Sequence, residues 1–194
     1  MNRFTAAATI LGKRGITVLP NVLDDEGRPK QRYTDYFHHL TPKHNTYHDW
    51  DRAAGIAFVL GPVSGGLACI DVDDAGLGET LERRLGEWAN PPLMSRSPNG
   101  LHIHLIEPVP TPPGVLAVTY QNRLCRVELL GIGRVSTIPP TKGYTWVEVK
   151  AEPVYSSLRD FWRRCSREFT LFSREVVEDS AFFARRSGAK AAAR

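Results

Sequence analysis

Two aspartates stand two residues apart at the end of an apolar segment, Asp71 and Asp73 in the stretch 67–73. Side chains of a β-strand alternate between its two faces, so both carboxylates point to one side while Ile70 and Val72 point into a core. Two such carboxylates repel each other unless a cation lies between them. Mg²⁺ commonly binds one or two protein carboxylates together with substrate phosphates. The pair therefore predicts a divalent-metal site, although a solvated strand end before a turn has the same pattern.

A third acid and two histidines interrupt other apolar segments. Glu128 shares a strand face with Arg126, so it is either a further metal ligand or half of a surface ion pair. His102 and His104 alternate in a strand pattern after a turn at 97–100. A protonated histidine offers two N–H donors to a phosphate, but two half-buried strand histidines would give the same pattern.

Apolar periodicity and turn formers predict the elements that must position these residues. A turn over 61–66 suggests that the strands on either side of it form a hairpin, and the polar stretch 21–51 is expected to be irregular. Together the elements predict an α+β fold with an antiparallel sheet covered by a few helices. Helices are expected over 4–14, 78–88, 156–169 and within 171–186, and strands over 16–20, 55–60, 67–73, 93–96, 101–106, 115–120, 123–130, 134–138 and 144–149.

The charge of the chain is unevenly distributed. Residues 1–158 hold 16 basic and 16 acidic side chains, so the whole excess of +4 comes from residues 159–194. Because residues 1–158 have no net positive charge, we expect that any bound phosphates are held by metal ions first and by basic side chains second. The three scattered cysteines argue against a zinc ribbon or a disulfide framework. Without a long apolar run or a secretory signal, a cytoplasmic protein with no membrane partner is expected.

The order of the motifs resembles the primase–polymerase (Prim-Pol) branch of the archaeo-eukaryotic primase superfamily. Its hydrophobic-Asp-x-Asp motif is met by residues 70–73, preceded by Ser-Gly-Gly-Leu at 64–67. Its Gly-x-His motif is met by residues 100–102, and its hydrophobic-acid motif by residues 127–128. Pro-Pro-Thr at 139–141 is similar to the Pro-Pro-Ser segment of the family. The resemblance covers roughly residues 6–150, and it departs from the family at His104, where relatives often have an aromatic residue.

The resemblance implies a catalytic core like an RNA-recognition-motif (RRM) sheet, extended by an N-terminal α/β unit. It also implies a DNA primase/polymerase that joins dNTPs or NTPs to a 3′-hydroxyl on a single-stranded or primed DNA template. Residues 1–155 would form the catalytic domain and 156–186 a helical segment packed on it, followed by a disordered tail at 187–194. A replicative helicase is an expected partner, because relatives are often fused to one.

The resemblance also assigns roles to individual residues. Asp71, Asp73 and Glu128 would bind two Mg²⁺ or Mn²⁺ ions, and His102 would contact a phosphate of the incoming nucleotide. Further contacts to the nucleotide are expected from Ser97, Asn99, Gly100, Arg134 and Lys142.

Two other functions are compatible with the same residues. One is a non-catalytic RRM-like module that binds single-stranded nucleic acid, although such modules stack bases on exposed aromatic residues rather than carboxylates. The other is a metal-dependent nickase of replication initiation, which needs a tyrosine beside a histidine–metal cluster. A separate metal site in the histidine-rich stretch 38–48 is also conceivable, but a polar loop explains that stretch equally simply.

The basic residues of the last predicted helix offer a first test. If Arg159, Arg163, Arg164 and Arg167 touch the template backbone, changing all four to Gln should flatten the salt dependence of template binding, by roughly one unit of log–log slope per lost phosphate contact. Fluorescence anisotropy with a labelled single strand at several salt concentrations measures this slope. An unchanged slope would mean that the arginines form a solvated helix face.

Overall fold

Regular elements form close to the positions that apolar spacing predicts. The computed structural model of the protein describes residues 2–30, 39–110, 112–148, 151–170 and 175–176. The helices are α1 (Arg3–Lys13), α2 (Ala75–Gly86) and α3 (Leu158–Glu168). The strands are β1 (Val18–Leu23), β2 (Pro29–Lys30), β3 (Gly55–Val59), β4 (Leu67–Val72), β5 (Leu93–Arg96), β6 (Leu101–Ile106), β7 (Gly114–Tyr120), β8 (Arg123–Leu130), β9 (Val135–Ile138), β10 (Thr145–Trp146), β11 (Val154–Tyr155) and β12 (Glu175–Val176).

The larger of two sheets has the strand order β10-β5-β6-β4-β8-β7-β12, with β11 added parallel to β6. All other neighbours in this sheet are antiparallel. Strand β4 lies in the middle, and its register puts Asp71 directly opposite His102 on β6 and Glu128 on β8. Antiparallel pairs that face each other in this way have their side chains on the same side of the sheet. Three of the predicted site residues therefore form one row across three strands.

Helices α2 and α3 cover one face of the large sheet. Ile70 and Val72 of β4 pack in a single core cluster with Leu81 of α2 and Trp162 of α3. Burying this face leaves the alternate residues of β4, which include Asp71, on the opposite face. At the start of α3, the Glu107 carboxylate accepts the N–H of Leu158 at 3.0 Å, so the helix is held to the end of β6.

A smaller antiparallel sheet, in the order β2-β1-β3-β9, packs on that opposite face together with α1. Phe58 of β3 and Ile138 of β9 share a core cluster with Cys69 of β4 and Phe4 of α1. The hydroxyl of Ser136 also donates to the Cys69 sulfur at 3.5 Å. The site residues thus lie on a face that is covered at one end by the small sheet. With antiparallel sheets and few helices, the fold is α+β as predicted.

The hairpin expected across the turn at 61–66 is wrong. Strand β3 pairs with β1 and β9, whereas β4 pairs with β6 and β8, and only a bridge between Gly61 and Leu67 links the two segments. Both strands are almost wholly buried, so each needs partners on both edges and packing on both faces. Gly61 and Gly66 have positive φ values, which let the chain pass from one sheet to the other.

Three other expectations also need correction. The stretch 21–51 is not wholly irregular, because β1 continues to Leu23 and turns back into β2, and 3₁₀ turns follow at Pro42–Thr46 and Trp50–Arg52. The strand expected over 144–149 is short and spans only Thr145–Trp146. Glu175–Val176 pairs with β7 as a strand, so these two residues are not helical. The rest of the helix expected in 171–186 and the tail 187–194 lie outside the described residues.

No helix in the described part of the chain is long and apolar enough to cross a membrane.

Gly100 explains how the turn before β6 is held against the end of β4. A Cβ atom at this position would lie 1.9 Å from the Val72 carbonyl oxygen and 3.2 Å from the Asp74 nitrogen. Gly78 of α2 packs against the same glycine from the helix side. The expected contact of Gly100 with the nucleotide stays a prediction, and the close approach that the structure shows is to the backbone on either side of Asp73.

Gly100→Ala should therefore lower the free energy of unfolding by about 2 kcal/mol or more, because the methyl group forces the two backbone segments apart. Urea unfolding followed by tryptophan fluorescence measures the change. Gly86→Ala is the matched control, since a Cβ there meets open space at the end of α2 and should be neutral or stabilising. Equal stability of the two variants would contradict this account.

Candidate active site

Asp71 is the centre of the candidate site. Its Oδ1 atom lies 3.3 Å from the Nε2 atom of His102 on one side, and Glu128 faces it from the other. The Asp71 side chain is 20% exposed, and its Oδ1 atom is buried without a hydrogen-bond donor. A buried carboxylate oxygen that accepts no hydrogen bond is costly unless a cation or a proton joins it. This atom is therefore a suitable ligand for a metal ion.

The imidazole of His102 is oriented by strand β9. Its Nδ1 atom lies 3.1 Å from the Thr137 carbonyl oxygen and 3.2 Å from the Ser136 hydroxyl. A carbonyl oxygen can only accept, so Nδ1 carries the proton and Nε2 is directed at Asp71. A backbone carbonyl that fixes the tautomer of a histidine is a common way to prepare its other nitrogen for binding.

Arg126 connects the other two acids. It lies two residues before Glu128 on the same face of β8 and forms an ion pair with that carboxylate. Its second terminal nitrogen, Nη1, lies 3.7 Å from the Oδ2 atom of Asp73. The backbone N–H of Asp73 also donates to the Arg126 carbonyl oxygen at 3.1 Å. Asp73, just past the end of β4, is thereby held to β8 by both backbone and side chain.

The acids disfavour one another's charge. Partial burial and the neighbouring charge of Asp71 raise the pKa of Asp73, while Arg126 and His102 oppose the rise. Burial is the largest cause of the raised pKa of Glu128. The charge of Arg126 lowers this pKa, and the charges of Asp71 and Asp73 raise it further. Mutual repulsion of this kind is typical of carboxylates that share a cation.

The residue types fit a divalent metal site, but their present arrangement does not form one. Among the residues that the structure describes, no three His, Cys, Asp or Glu side chains are grouped as a metal-binding cluster. Asp73 and Glu128 are instead drawn to Arg126. A metal ion shared by the three acids would require this guanidinium to move.

The other residues expected to bind the nucleotide lie just before strand β9 and in the turns before β6 and β10. Arg134 is close enough to Glu128 for its charge to lower the pKa of that carboxyl group, against the larger effect of burial. The Ser97 hydroxyl accepts the N–H of Gly100 at 3.1 Å, so it closes the turn. Asn99 and Lys142 are exposed on two turns that meet where Pro98 packs at Gly143. Their roles stay predictions.

Tyr144 was not expected from the sequence, yet it lies beside His102 with 5.7 Å between ring centroids. Its burial and the charges of Asp71 and Asp73 raise its pKa. Only the pairing of β10 with β5 brings Tyr144 to this position, 42 residues along the chain from His102. In the sequence, the glycine before it, Gly143, is a sign of a tight turn. In the structure its φ is +87°.

His104 is an aromatic core residue on the same face of β6 as His102. It is fully buried, with ring centroids 5.2 Å from Phe58 and 5.9 Å from Trp146. Burial and then the charge of His102 hold its pKa well below the usual range, so the ring is neutral. Its contacts are those of an aromatic core residue.

The arginines of α3 lie on the face of the large sheet opposite to the acids. Arg163 is paired with Asp160 at 3.5 Å. Arg164 is paired with Glu168 at 3.0 Å, and its guanidinium lies 4.0 Å from the ring centroid of Trp88. A template strand that touched both these arginines and the acids would have to pass around the sheet. The expected template contact of α3, including Arg159 and Arg167, stays a prediction.

The histidine-rich stretch 38–48 shows structural roles where it is described. The Nδ1 atom of His44 accepts the N–H of Thr41 at 2.9 Å, and His48 packs edge-on against Trp50. Burial lowers the pKa of His48. His38 lies outside the described residues.

A family model described as bifunctional DNA primase/polymerase, N-terminal, matches residues 8–157. The matched range contains the whole row of acids together with His102 and Tyr144. Because the match covers most of the chain, the protein belongs to this Prim-Pol family, whose members are nucleotidyltransferases of the primase and polymerase type. The resemblance seen in the motifs is thereby confirmed. None of the curated proteins matches the chain.

His104→Phe tests the aromatic role. The folded state cannot protonate His104 near pH 6, whereas the unfolded chain can, so wild-type stability should fall by about 1.4 kcal/mol per pH unit below pH 6.5 through this residue alone. The Phe variant should lack this contribution and stay within about 1.5 kcal/mol of wild type at pH 8. Urea unfolding between pH 5 and pH 8 measures both. Identical pH profiles for the two proteins would contradict a neutral, buried His104.

Proposed function

We propose that this protein is a template-dependent nucleotidyltransferase, a DNA primase/polymerase that adds dNTPs or NTPs to a 3′-hydroxyl during replication or repair priming. The observation that carries the proposal is the row of Asp71 between His102 and Glu128, with Asp73 beside it. Membership of the Prim-Pol family supports the same reaction. We also infer that the large sheet with its two helices is the RRM-like core, and that α1 and the small sheet are the N-terminal α/β unit.

Asp71, Asp73 and Glu128 would hold two Mg²⁺ or Mn²⁺ ions. Such ions lower the pKa of a bound hydroxyl and neutralise a triphosphate when they are present. The chain supplies three carboxylates on one sheet face, a buried oxygen of Asp71 that accepts no hydrogen bond, and mutual repulsion that a cation relieves.

His102, when it carries a proton on both ring nitrogens, would donate a hydrogen bond from Nε2 to a phosphate of the incoming nucleotide. The Thr137 carbonyl keeps Nδ1 protonated, so the ring is held in the orientation that presents Nε2 to the acids. Tyr144 packs against the ring and restricts its movement. Arg134 and Lys142, with the turn at Ser97, Asn99 and Gly100, would complete the nucleotide pocket.

The partners implied are a single-stranded or primed DNA template and dNTPs or NTPs, with a replicative helicase in the same system. Because residues 1–158 carry no net charge, the template would be held mainly near the metal site. The location would be the cytoplasm.

Tyr144 beside His102 bears on the nickase alternative, because that class uses a tyrosine nucleophile. A lowered pKa would activate a tyrosine as a nucleophile, whereas burial and the charges of Asp71 and Asp73 raise the pKa of Tyr144. His104 is fully buried against the rings of Phe58 and Trp146, so it is a core residue rather than a solvent-accessible ligand. These contacts favour nucleotidyl transfer.

The proposal is tested with Asp71→Asn and Asp73→Asn, singly and together. Extension of a primed template with dNTPs or NTPs, in Mg²⁺ or Mn²⁺, should fall at least about a hundredfold in the double variant, because the ligands of both ions lose charge. Asp74→Asn is the matched control. It removes the neighbouring acid, which caps α2 and pairs with Arg123, and an asparagine still caps a helix.

Full extension by the double variant would exclude this site as the catalytic centre. Single-strand binding without any extension by the wild-type protein would favour the non-catalytic module. Nicking of supercoiled DNA without nucleotides would favour the nickase. The same assay without a primer, resolved by nucleotide type, distinguishes chain initiation from extension.

A further inference from the structure

Arg126 is paired with two of the three acids that are the candidate metal ligands. Its guanidinium lies between two of the three acids, with one terminal nitrogen against Glu128 and the other 3.7 Å from Asp73. The side chain is 35% exposed, as is that of Asp73, so the pair is open to solvent on one side. The three carboxylates therefore have a counter-charge that belongs to the protein itself.

The backbone around Arg126 is fixed, whereas its side chain is partly exposed to solvent. The Arg126 carbonyl accepts the N–H of Asp73, and Glu128 is paired in register with Asp71. Movement of the guanidinium toward solvent would thus leave the acids where they are.

We propose that Arg126 is a built-in counter-ion that divalent metal displaces, and that the displaced guanidinium then binds a phosphate of the nucleotide. This inference rests on the proposed metal-dependent nucleotidyl transfer at the same acids. A divalent ion carries twice the charge of a guanidinium and takes several carboxylate oxygens at once, so it replaces the arginine when it binds. The planar fork of arginine matches phosphate as well as carboxylate, which gives the released group a partner at the same site.

The consequence is an ordered exchange. Without metal, Arg126 reduces the repulsion among the three acids. With metal, the same arginine moves to the substrate and adds positive charge where the triphosphate lies. Loss of Arg126 should therefore change the affinities for metal and for nucleotide in opposite directions, which a purely structural role would not do.

The first measurement is Mn²⁺ binding without nucleotide or DNA, followed by calorimetry or by electron paramagnetic resonance of the free ion. Arg126→Gln should bind Mn²⁺ about fivefold more tightly than wild type, because the ion no longer competes with an ion pair. Arg123→Gln is the matched control: it removes the same charge from the same strand, but its partner Asp74 is not one of the three acids. Its Mn²⁺ affinity should equal that of wild type.

The second measurement is dATP binding at saturating Mn²⁺ without template. Arg126→Gln should bind dATP at least about fivefold more weakly than wild type, since a charge-assisted contact to phosphate is lost. Arg126→Lys keeps the charge but lacks the fork, so it should bind Mn²⁺ like wild type and dATP at an intermediate strength.

Suppose that wild-type Mn²⁺ binding depends on Asp71. If Arg126→Gln then binds Mn²⁺ no more tightly than wild type, the proposal that metal displaces Arg126 is overturned. Unchanged dATP affinity would overturn its transfer to phosphate. A wild-type protein whose Mn²⁺ binding is absent or insensitive to Asp71→Asn would contradict the proposed metal site itself, so the two failures are distinguishable. Thermal unfolding of each variant without metal confirms that the protein compared is folded.

Discussion

The register of three neighbouring strands is the constraint on which the site depends. Because β4 lies between β6 and β8, Asp71 has a partner on both sides and meets His102 and Glu128. A shift of one residue in either pairing would turn the partner toward the helix-covered core. The register is strongly determined, since Ile70 and Val72 must be buried under α2 and α3.

Close backbone contacts then set the positions of the loops around this row. Gly100 lies against the carbonyl of Val72, and the N–H of Asp73 donates to Arg126, so the end of β4 is held from both sides. The small sheet contributes the Thr137 carbonyl that orients His102. The two sheets thus both contact His102, which lies beside Asp71. The small sheet therefore helps to form the site as well as the core.

Much of the fold follows from local patterns. The helix near residues 4–14 and most strands lie within a few residues of their expected positions, because amphipathic periodicity records which side of an element is buried. The predicted hairpin at 61–66 was wrong for a reason that no local pattern contains. Two neighbouring buried strands pair equally well with each other or with distant strands, and only the competition among all strands decides between these pairings.

The sequence by itself determined the chemical types at the site: two aspartates on one strand face, a third acid and a histidine on others, in an order that identifies the Prim-Pol family. Only the tertiary structure decided their neighbours. Arg126 proved to bridge two acids, Tyr144 to pack on His102, and His104 to be buried as a neutral ring. The physical reason is that side-chain alternation along a strand is local, whereas cross-strand contact, burial and charge pairing depend on segments far apart in the chain.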